Sequence, residues 1–96
     1  MKVEIKKSTS FNKKLMAIFY DDDGTKVKTT HFGSKGMSDY TIHKDSLRKN
    51  RYLDRHRKNE NWDDYQSAGA LAKFILWHKP SLQASINDYK KKFNLK

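Results

Sequence analysis

The possible folds of this chain are limited first by its one run of six apolar residues, Leu15–Tyr20, and by the residues that follow it. A segment with apolar side chains on both faces is typical of a strand in the interior of a sheet. The next residues are Asp21–Gly24, and an Asp-Gly pair tolerates the positive φ that a tight hairpin requires. Polar and apolar residues then alternate over Lys26–Phe32. The sequence therefore predicts a β-hairpin whose first strand lies at the centre of a sheet.

A further strand is predicted at the N-terminus, where Val3 and Ile5 alternate with charged residues. Alternation with a period of two indicates a strand with one solvated face. Residues Ser8–Asn12 supply a turn between this strand and the central one. Residues 1–32 are therefore predicted to form a three-stranded antiparallel meander.

The pattern changes from strand-like to helix-like at Gly33–Gly36, which opens the second part of the chain, residues 33–96. Asp45 or Ser46 is a suitable N-cap for a helix that runs to about Lys58. The glycines of the connection are expected to adopt positive φ, and Asp39 is expected to cap or brace the turn that follows.

Two more helices are predicted after residue 66. Ser67 can cap a helix that is apolar on nearly all sides and therefore buried, and Pro80 ends it. Ser81 can cap a last amphipathic helix. The expected fold is a single α+β domain over residues 1–96, with the sheet packed on one face by two or three C-terminal helices. The large aromatic side chains are interpreted as core residues: Trp62, Phe74, Trp77 and Tyr89.

The composition points to a folded, strongly basic protein. Lys and Arg number 21 against 11 Asp and Glu, which gives a formal net charge of +10, and aromatic residues make up 12%, more than a disordered tail usually carries. The absence of cysteine excludes a disulfide framework and a thiolate zinc site. No apolar run approaches the ~20 residues of a membrane span, and the first ten residues lack the apolar core of a signal peptide. We therefore expect an intracellular protein that is not secreted and has no membrane partner.

The positive charge is spread over all three thirds of the chain, which favours a basic surface on a folded body over a basic tail. If Val3, Ile5 and Val27 face the helices, four lysines point together from the open face of the sheet. A lysine-bearing ribbon of this kind can follow a nucleic-acid groove and neutralise phosphates. These candidate nucleic-acid-binding residues are Lys2, Lys6, Lys26 and Lys28.

The first predicted helix carries a second candidate surface. On a helical wheel, Ile42, Tyr52, Leu53 and His56 form an apolar stripe, and the basic residues lie on the other side. Guanidinium groups hold phosphate oxygens in two-point fashion. The candidate binding residues of this helix are Arg48, Arg51, Arg55 and Lys58. The sheet set and the helix set are open alternatives, because the sequence does not show whether they share a side.

A set of residues from Phe32 onward resembles short basic proteins of unassigned function that large nucleocytoplasmic DNA viruses encode. The resemblance covers about two thirds of the chain and implies a viral setting, in the virion or the viral factory of the host cell. It transfers no functional residues. The residues that carry it are Phe32-Gly33, Gly36, Ser38-Asp39-Tyr40-Thr41-Ile42-His43-Lys44-Asp45, Arg48, Tyr52, Arg55-His56, Trp62, Gly69-Ala70-Leu71, Leu76-Trp77, Pro80-Ser81-Leu82, Ser85-Ile86, Asp88-Tyr89 and Phe93.

These features together favour a non-catalytic role. The expected partner is nucleic acid, DNA in the first place, bound mainly through phosphate contacts with little sequence specificity. The alternative is a small structural virion component, a minor capsid or core protein, whose basic face meets capsid protein or packaged genome.

Catalysis has little support in the sequence. The one local mixture of His and carboxylate residues contains Asp39, His43, Asp45, His56 and Glu60. His43 and Asp45 are two positions apart, so on a helix they diverge by about 200° and cannot share one metal ion. The motifs of zinc proteases, phosphate-binding loops and serine hydrolases do not occur. We therefore expect no catalytic residue, no metal site and no cofactor.

Overall fold

The computed structural model describes all residues from Met1 to Lys96, and three antiparallel strands come first. Strand β1 spans Lys2–Lys7, β2 spans Lys13–Tyr20 and β3 spans Lys26–Ser34. The strands lie in the order β1-β2-β3, with the apolar run in the central strand. The predicted meander and the α+β class are confirmed, and β3 continues two residues past position 32.

The helices follow the sheet in the chain. Helix α1 spans Tyr40–His43, α2 spans Ser46–His56, α3 spans Ala68–Leu71 and α4 spans Leu82–Lys92. Helix α3 continues directly into a π-helical turn, Ala72–Leu76. None of these helices is long and apolar enough to cross a bilayer.

Local capping explains where the helices begin. The Asp45 carboxylate accepts hydrogen bonds from two free amides at the start of α2, and the hydroxyls of Ser67 and Ser81 each accept one, at the starts of α3 and α4. Such side chains satisfy amides that have no partner within the helix. The three predicted caps are confirmed. Helix α2 ends at His56, two residues before the predicted end at Lys58.

The core lies between the sheet and the helical part. Val3 pairs with Phe19 and Leu15 pairs with Phe32, so strand alternation places these side chains on one face. Burying one Phe of this kind contributes roughly 1.5–3 kcal/mol. The buried apolar cluster consists of Val3, Ala17, Phe19, Phe32, Leu71, Ile75, Leu76, Tyr89 and Leu95.

The four aromatic residues interpreted as core differ in their burial. Tyr89 is fully buried, and Phe74 and Trp77 are partly buried against the core cluster. Burial raises the pKa of the Tyr89 phenol, whose hydroxyl donates a hydrogen bond to the backbone carbonyl of Tyr65. Trp62 lies outside the core cluster, where the Lys73 ammonium sits 4.5 Å from the centroid of its ring.

Gly33 allows the end of β3 to approach the π-helical turn. Its φ is +80°, and a Cβ at this position would lie 2.8 Å from Leu76 Cδ1. A side chain would therefore be strained and would also collide with the wall of the core. The positive φ predicted for Gly33 and Gly36 is confirmed.

Candidate functional site

A cleft of about 370 Å³ lies between α2, the connection from β3 to α1, and the end of the π-helical turn. We call it the basic cleft. Arg48, Arg51 and Arg55 of α2 line one side of it, and Leu76 and Trp77 line another. The cleft thus joins residues that are far apart in the sequence.

The three arginines form a row along one side of α2. Positions 48, 51 and 55 fall within an arc of about 60° at 100° per residue, so successive helical turns present them to the same space. All three residues are exposed, and none of their guanidinium groups lies within 4 Å of a carboxylate. Arg57, by contrast, lies 3.5 Å from Asp54. We call Arg48, Arg51 and Arg55 the arginine row.

A stack of rings holds α2 against the π-helical turn. The rings of Tyr52 and Trp77 are 4.2 Å apart and nearly parallel, with an interplanar angle of 5°. On its other side Tyr52 stacks on His56, at 4.1 Å. Burial is the main cause that raises the pKa of Tyr52 to about 12, with a smaller contribution from the negative charge of Glu60, so the phenol stays neutral at physiological pH. The stack fixes the side of α2 that carries the arginine row.

Asp39 is the one acidic residue that lines the basic cleft, and its charge is compensated. The residue is 2% exposed, and Lys14 Nζ lies 2.6 Å from Asp39 Oδ2. The other carboxylate oxygen accepts a hydrogen bond from the backbone amide of Thr41, which confirms the predicted cap at the start of α1. The net positive charge of the cleft therefore comes from the arginine row.

The expected apolar stripe of α2 does not oppose the arginine row. Tyr52 and His56 line the same cleft as the arginines, because their helical positions directly flank the arginine side. Ile42, which was predicted to share that stripe, belongs to the separate helix α1 and is 62% exposed. The expectation of two opposite faces was wrong. Helix α2 is short, lies at the edge of a small core and has no buried residue, so none of its sides is set apart as an apolar face.

The four sheet lysines do not form one surface. Lys28 pairs with Phe19 and therefore lies on the helix side of the sheet, although its side chain is exposed. Phe32 enters the core, and alternation then turns Val27 away from it, leaving Val27 48% exposed. The expectation that Val27 faces the helices and Lys28 the open face was wrong for this reason.

Lys2, Lys6 and Lys26 remain together on the open face. Lys2 and Lys26 both lie opposite Tyr20, the latter across an irregularity in the β2–β3 register. An acidic residue shares this face: Glu4 lies 3.5 Å from Lys6 Nζ and accepts a hydrogen bond from the Tyr20 hydroxyl at 2.8 Å. That hydrogen bond is the main cause that lowers the pKa of Glu4, which is therefore ionised at neutral pH.

None of the four candidate lysines of the sheet lines the basic cleft, and neither does Lys58, which follows the end of α2 and is exposed. The structure thus brings Arg48, Arg51 and Arg55 together and leaves the other candidates elsewhere. Sequence reasoning missed Lys14 and Trp77 as cleft residues, because only the tertiary fold brings them beside α2. Tyr52 and His56 could have been identified as cleft residues from the sequence, because they lie directly beside the arginines on the helical wheel.

The mixture of His and carboxylate residues does not assemble into a metal centre. The Asp45 backbone amide donates a hydrogen bond to His43 Nδ1 at 2.9 Å. This pair therefore stabilises the connection between α1 and α2. His56 Nδ1 lies 3.6 Å from Glu60 Oε1. No group of three or more metal-ligating side chains occurs in the structure.

Comparison with known proteins gives one match. A sequence model of a family of unknown function (DUF5754) matches residues 3–56, more than half of the chain. The matched segment contains the sheet except Lys2, together with α1 and α2 with the arginine row. No curated protein and no solved structure matches.

Proposed function

We propose a function from the basic cleft alone, because the chain belongs to a family of unknown function (DUF5754). The protein binds nucleic acid through phosphate groups at the arginine row and performs no chemistry on it. The observation that carries this proposal is that three arginines without carboxylate partners line one cleft. The viral setting implied by the sequence resemblance stays a prediction.

Phosphate is the ligand that suits the arginine row best. A guanidinium group presents parallel N–H donors that match two oxygens of a phosphate, and its charge persists at all physiological pH values. Arg48 and Arg55 are separated by about 10 Å along the helix axis. A row of this length can contact more than one phosphate of a single strand.

Little base specificity is expected at this surface. Phosphate contacts position a protein on nucleic acid without reading its sequence. Both faces of the Tyr52 ring are occupied by Trp77 and His56, so this ring cannot stack on a base. The bound strand therefore meets the guanidinium groups and no free face of the Tyr52 ring.

The sheet lysines contribute less in this proposal. The carboxylate of Glu4 lies among Lys2, Lys6 and Lys26 and reduces the local potential that a phosphate would meet. Lys28 and Lys58 lie outside both groups and add only to the net charge. We assign the main contacts to the arginine row and a weaker, long-range attraction to the lysines.

A salt series with two charge-matched variants tests this proposal. The double variant Arg51→Gln/Arg55→Gln loses two cleft cations, and Arg57→Gln/Lys91→Gln loses two cations outside the cleft. For duplex DNA, the slope of log K against log salt is about −0.9 for each neutralised phosphate, so the cleft variant should be shallower by nearly 2. Fluorescence anisotropy with random duplex and single-stranded DNA measures the slope.

The control variant separates local contacts from net charge. We expect Arg57→Gln/Lys91→Gln to keep a slope close to that of the unmodified protein. Equal slopes for the two variants would mean that binding follows total charge and not the cleft. No binding to either DNA at low salt would contradict the proposed function itself.

A further inference from the structure

We infer that the basic cleft is a seat for a phosphomonoester, namely the terminal phosphate of a nucleic-acid strand. This inference rests on the proposed function and names the part of the nucleic acid that the cleft selects. It follows from the charge, the size and the lining of the cleft.

The charge of the cleft exceeds what one internal phosphate can neutralise. Lys14 compensates Asp39, which leaves the three guanidinium groups of the arginine row without a counter-charge. An internal phosphodiester carries a single negative charge. A phosphomonoester carries about −1.5 to −2 near neutral pH and offers three strong acceptor oxygens. The arginines of the row line one cleft, and their long side chains allow neighbouring guanidinium groups to reach the three oxygens of one phosphomonoester. An internal phosphate has only two free oxygens.

The size of the cleft favours a strand end. A volume of about 370 Å³ lies near the lower end of the range for small-molecule sites, ~300–1,000 Å³, and admits one nucleotide-sized unit. The phosphates inside a continuous duplex are fixed on the outside of a broad cylinder, so they reach only the rim of such a cleft. A terminal nucleotide can enter it.

The residues that line the cleft include further hydrogen-bond donors. The Tyr52 ring, in contrast, has no free face. Ser34 and Ser38 also line the cleft, and a serine hydroxyl can donate a hydrogen bond to a bound phosphate. Tyr52 is stacked on both sides, which favours occupation by a phosphate over occupation by a base.

The backbone beside the cleft is also irregular. Leu76 ends the π-helical turn, and the amide of Trp77 donates to the carbonyl of Ala72, five residues earlier, at 3.1 Å. Leu76, the last residue of the turn, and Trp77, which follows it, both line the cleft.

Three single-stranded oligonucleotides of one sequence test the inference: one with a 5′-phosphate, one with a 3′-phosphate and one with hydroxyl groups at both ends. At one fixed salt concentration and neutral pH, we expect a terminal phosphate to tighten binding by about tenfold or more, as one added charge-assisted contact would. Arg51→Gln should abolish this preference. Arg57→Gln, at a site outside the cleft, should retain it.

The outcomes separate the inference from the proposed function. If all three oligonucleotides bind equally and with a steep salt dependence, the terminal-phosphate inference is wrong and the proposed function stands. If none of them binds, the proposed function is contradicted, and a free nucleoside 5′-monophosphate is titrated by calorimetry. Binding of that nucleotide, lost in Arg51→Gln, would keep the phosphomonoester seat and assign it to a free nucleotide. Absence of nucleotide binding would overturn the inference as well.

Discussion

Gly33 is the residue at which the sheet, the core and the basic cleft meet. A side chain there would be strained by the positive φ, and its Cβ would displace Leu76 Cδ1. Gly36 has a similar φ of +87°, but a Cβ there would meet no atom within 4 Å. Comparing substitutions at the two glycines therefore separates the effect of backbone strain from the effect of the steric contact with Leu76.

We expect Gly33→Ala to destabilise the protein more than Gly36→Ala. Each substitution places a non-glycine residue in the left-handed region, which costs about 1–3 kcal/mol. Gly33→Ala also forces a methyl group against Leu76, and overpacking of this kind adds roughly 1–3 kcal/mol. Urea unfolding followed by circular dichroism measures both free energies of unfolding. Equal losses would show that Leu76 yields freely and that the contact does not define the cleft wall.

Helix α2 is the element on which the site depends, and few contacts hold it. It has no buried residue, and its attachments include the stack of Tyr52 on Trp77 and a hydrogen bond of 2.6 Å from Lys49 Nζ to the His78 carbonyl. The orientation of the arginine row therefore depends strongly on the packing of the Tyr52 ring.

The raised pKa of Tyr52 makes this packing visible in the pH dependence of stability. The phenol ionises at about 10 in the unfolded chain and at about 12 in the folded one. Between these values the unfolded state loses its proton first, so stability is complete below pH 10 and falls as the pH rises towards 12. We expect the thermal midpoint to fall less steeply over this window in Tyr52→Phe. Part of the decline in the thermal midpoint should remain in that variant, because the pKa of Tyr89 is also raised.

An unchanged pH profile in Tyr52→Phe would contradict the buried stack. The same variant provides its own control below pH 9, where both proteins carry a neutral ring at this position. The two thermal midpoints should there differ by a constant amount.

Short-range features of these elements could be predicted from the sequence. The turn at Gly24 and the caps at Asp45, Ser67 and Ser81 depend on neighbouring residues alone, and each was found where expected. The central position of β2 followed from its apolar run. These features require no knowledge of the tertiary structure.

Features that depend on packing between distant elements could not be predicted. Val27 and Phe32 lie on opposite faces of β3, and only packing against the helices decides that Phe32 enters the core and that Lys28 lies on the helix side. The π-helical turn and the stack of Tyr52 on Trp77 also join parts of the chain that are remote in sequence. Only the structure shows that Arg48, Arg51 and Arg55 line one cleft, and their role in binding stays a prediction.

At the scale of the whole molecule, the central question is where the excess of positive charge is concentrated. Of the 21 lysines and arginines, four have a carboxylate within 4 Å: Lys6, Lys14, Arg57 and Lys79. The excess is therefore not neutralised locally. A surface with this net charge attracts polyanions from any direction, and only a built site gives them a preferred place.

The most direct test is an NMR titration of the protein with a short 5′-phosphorylated single strand, observing the Nε–Hε signals of the arginine side chains. We expect the signals of Arg48, Arg51 and Arg55 to shift together and to saturate at one equivalent, while the signal of Arg57 stays nearly unchanged. Shifts of similar size at all four arginines, or shifts confined to the backbone amides of Lys2, Lys6 and Lys26, would contradict the assignment of the basic cleft as the binding site.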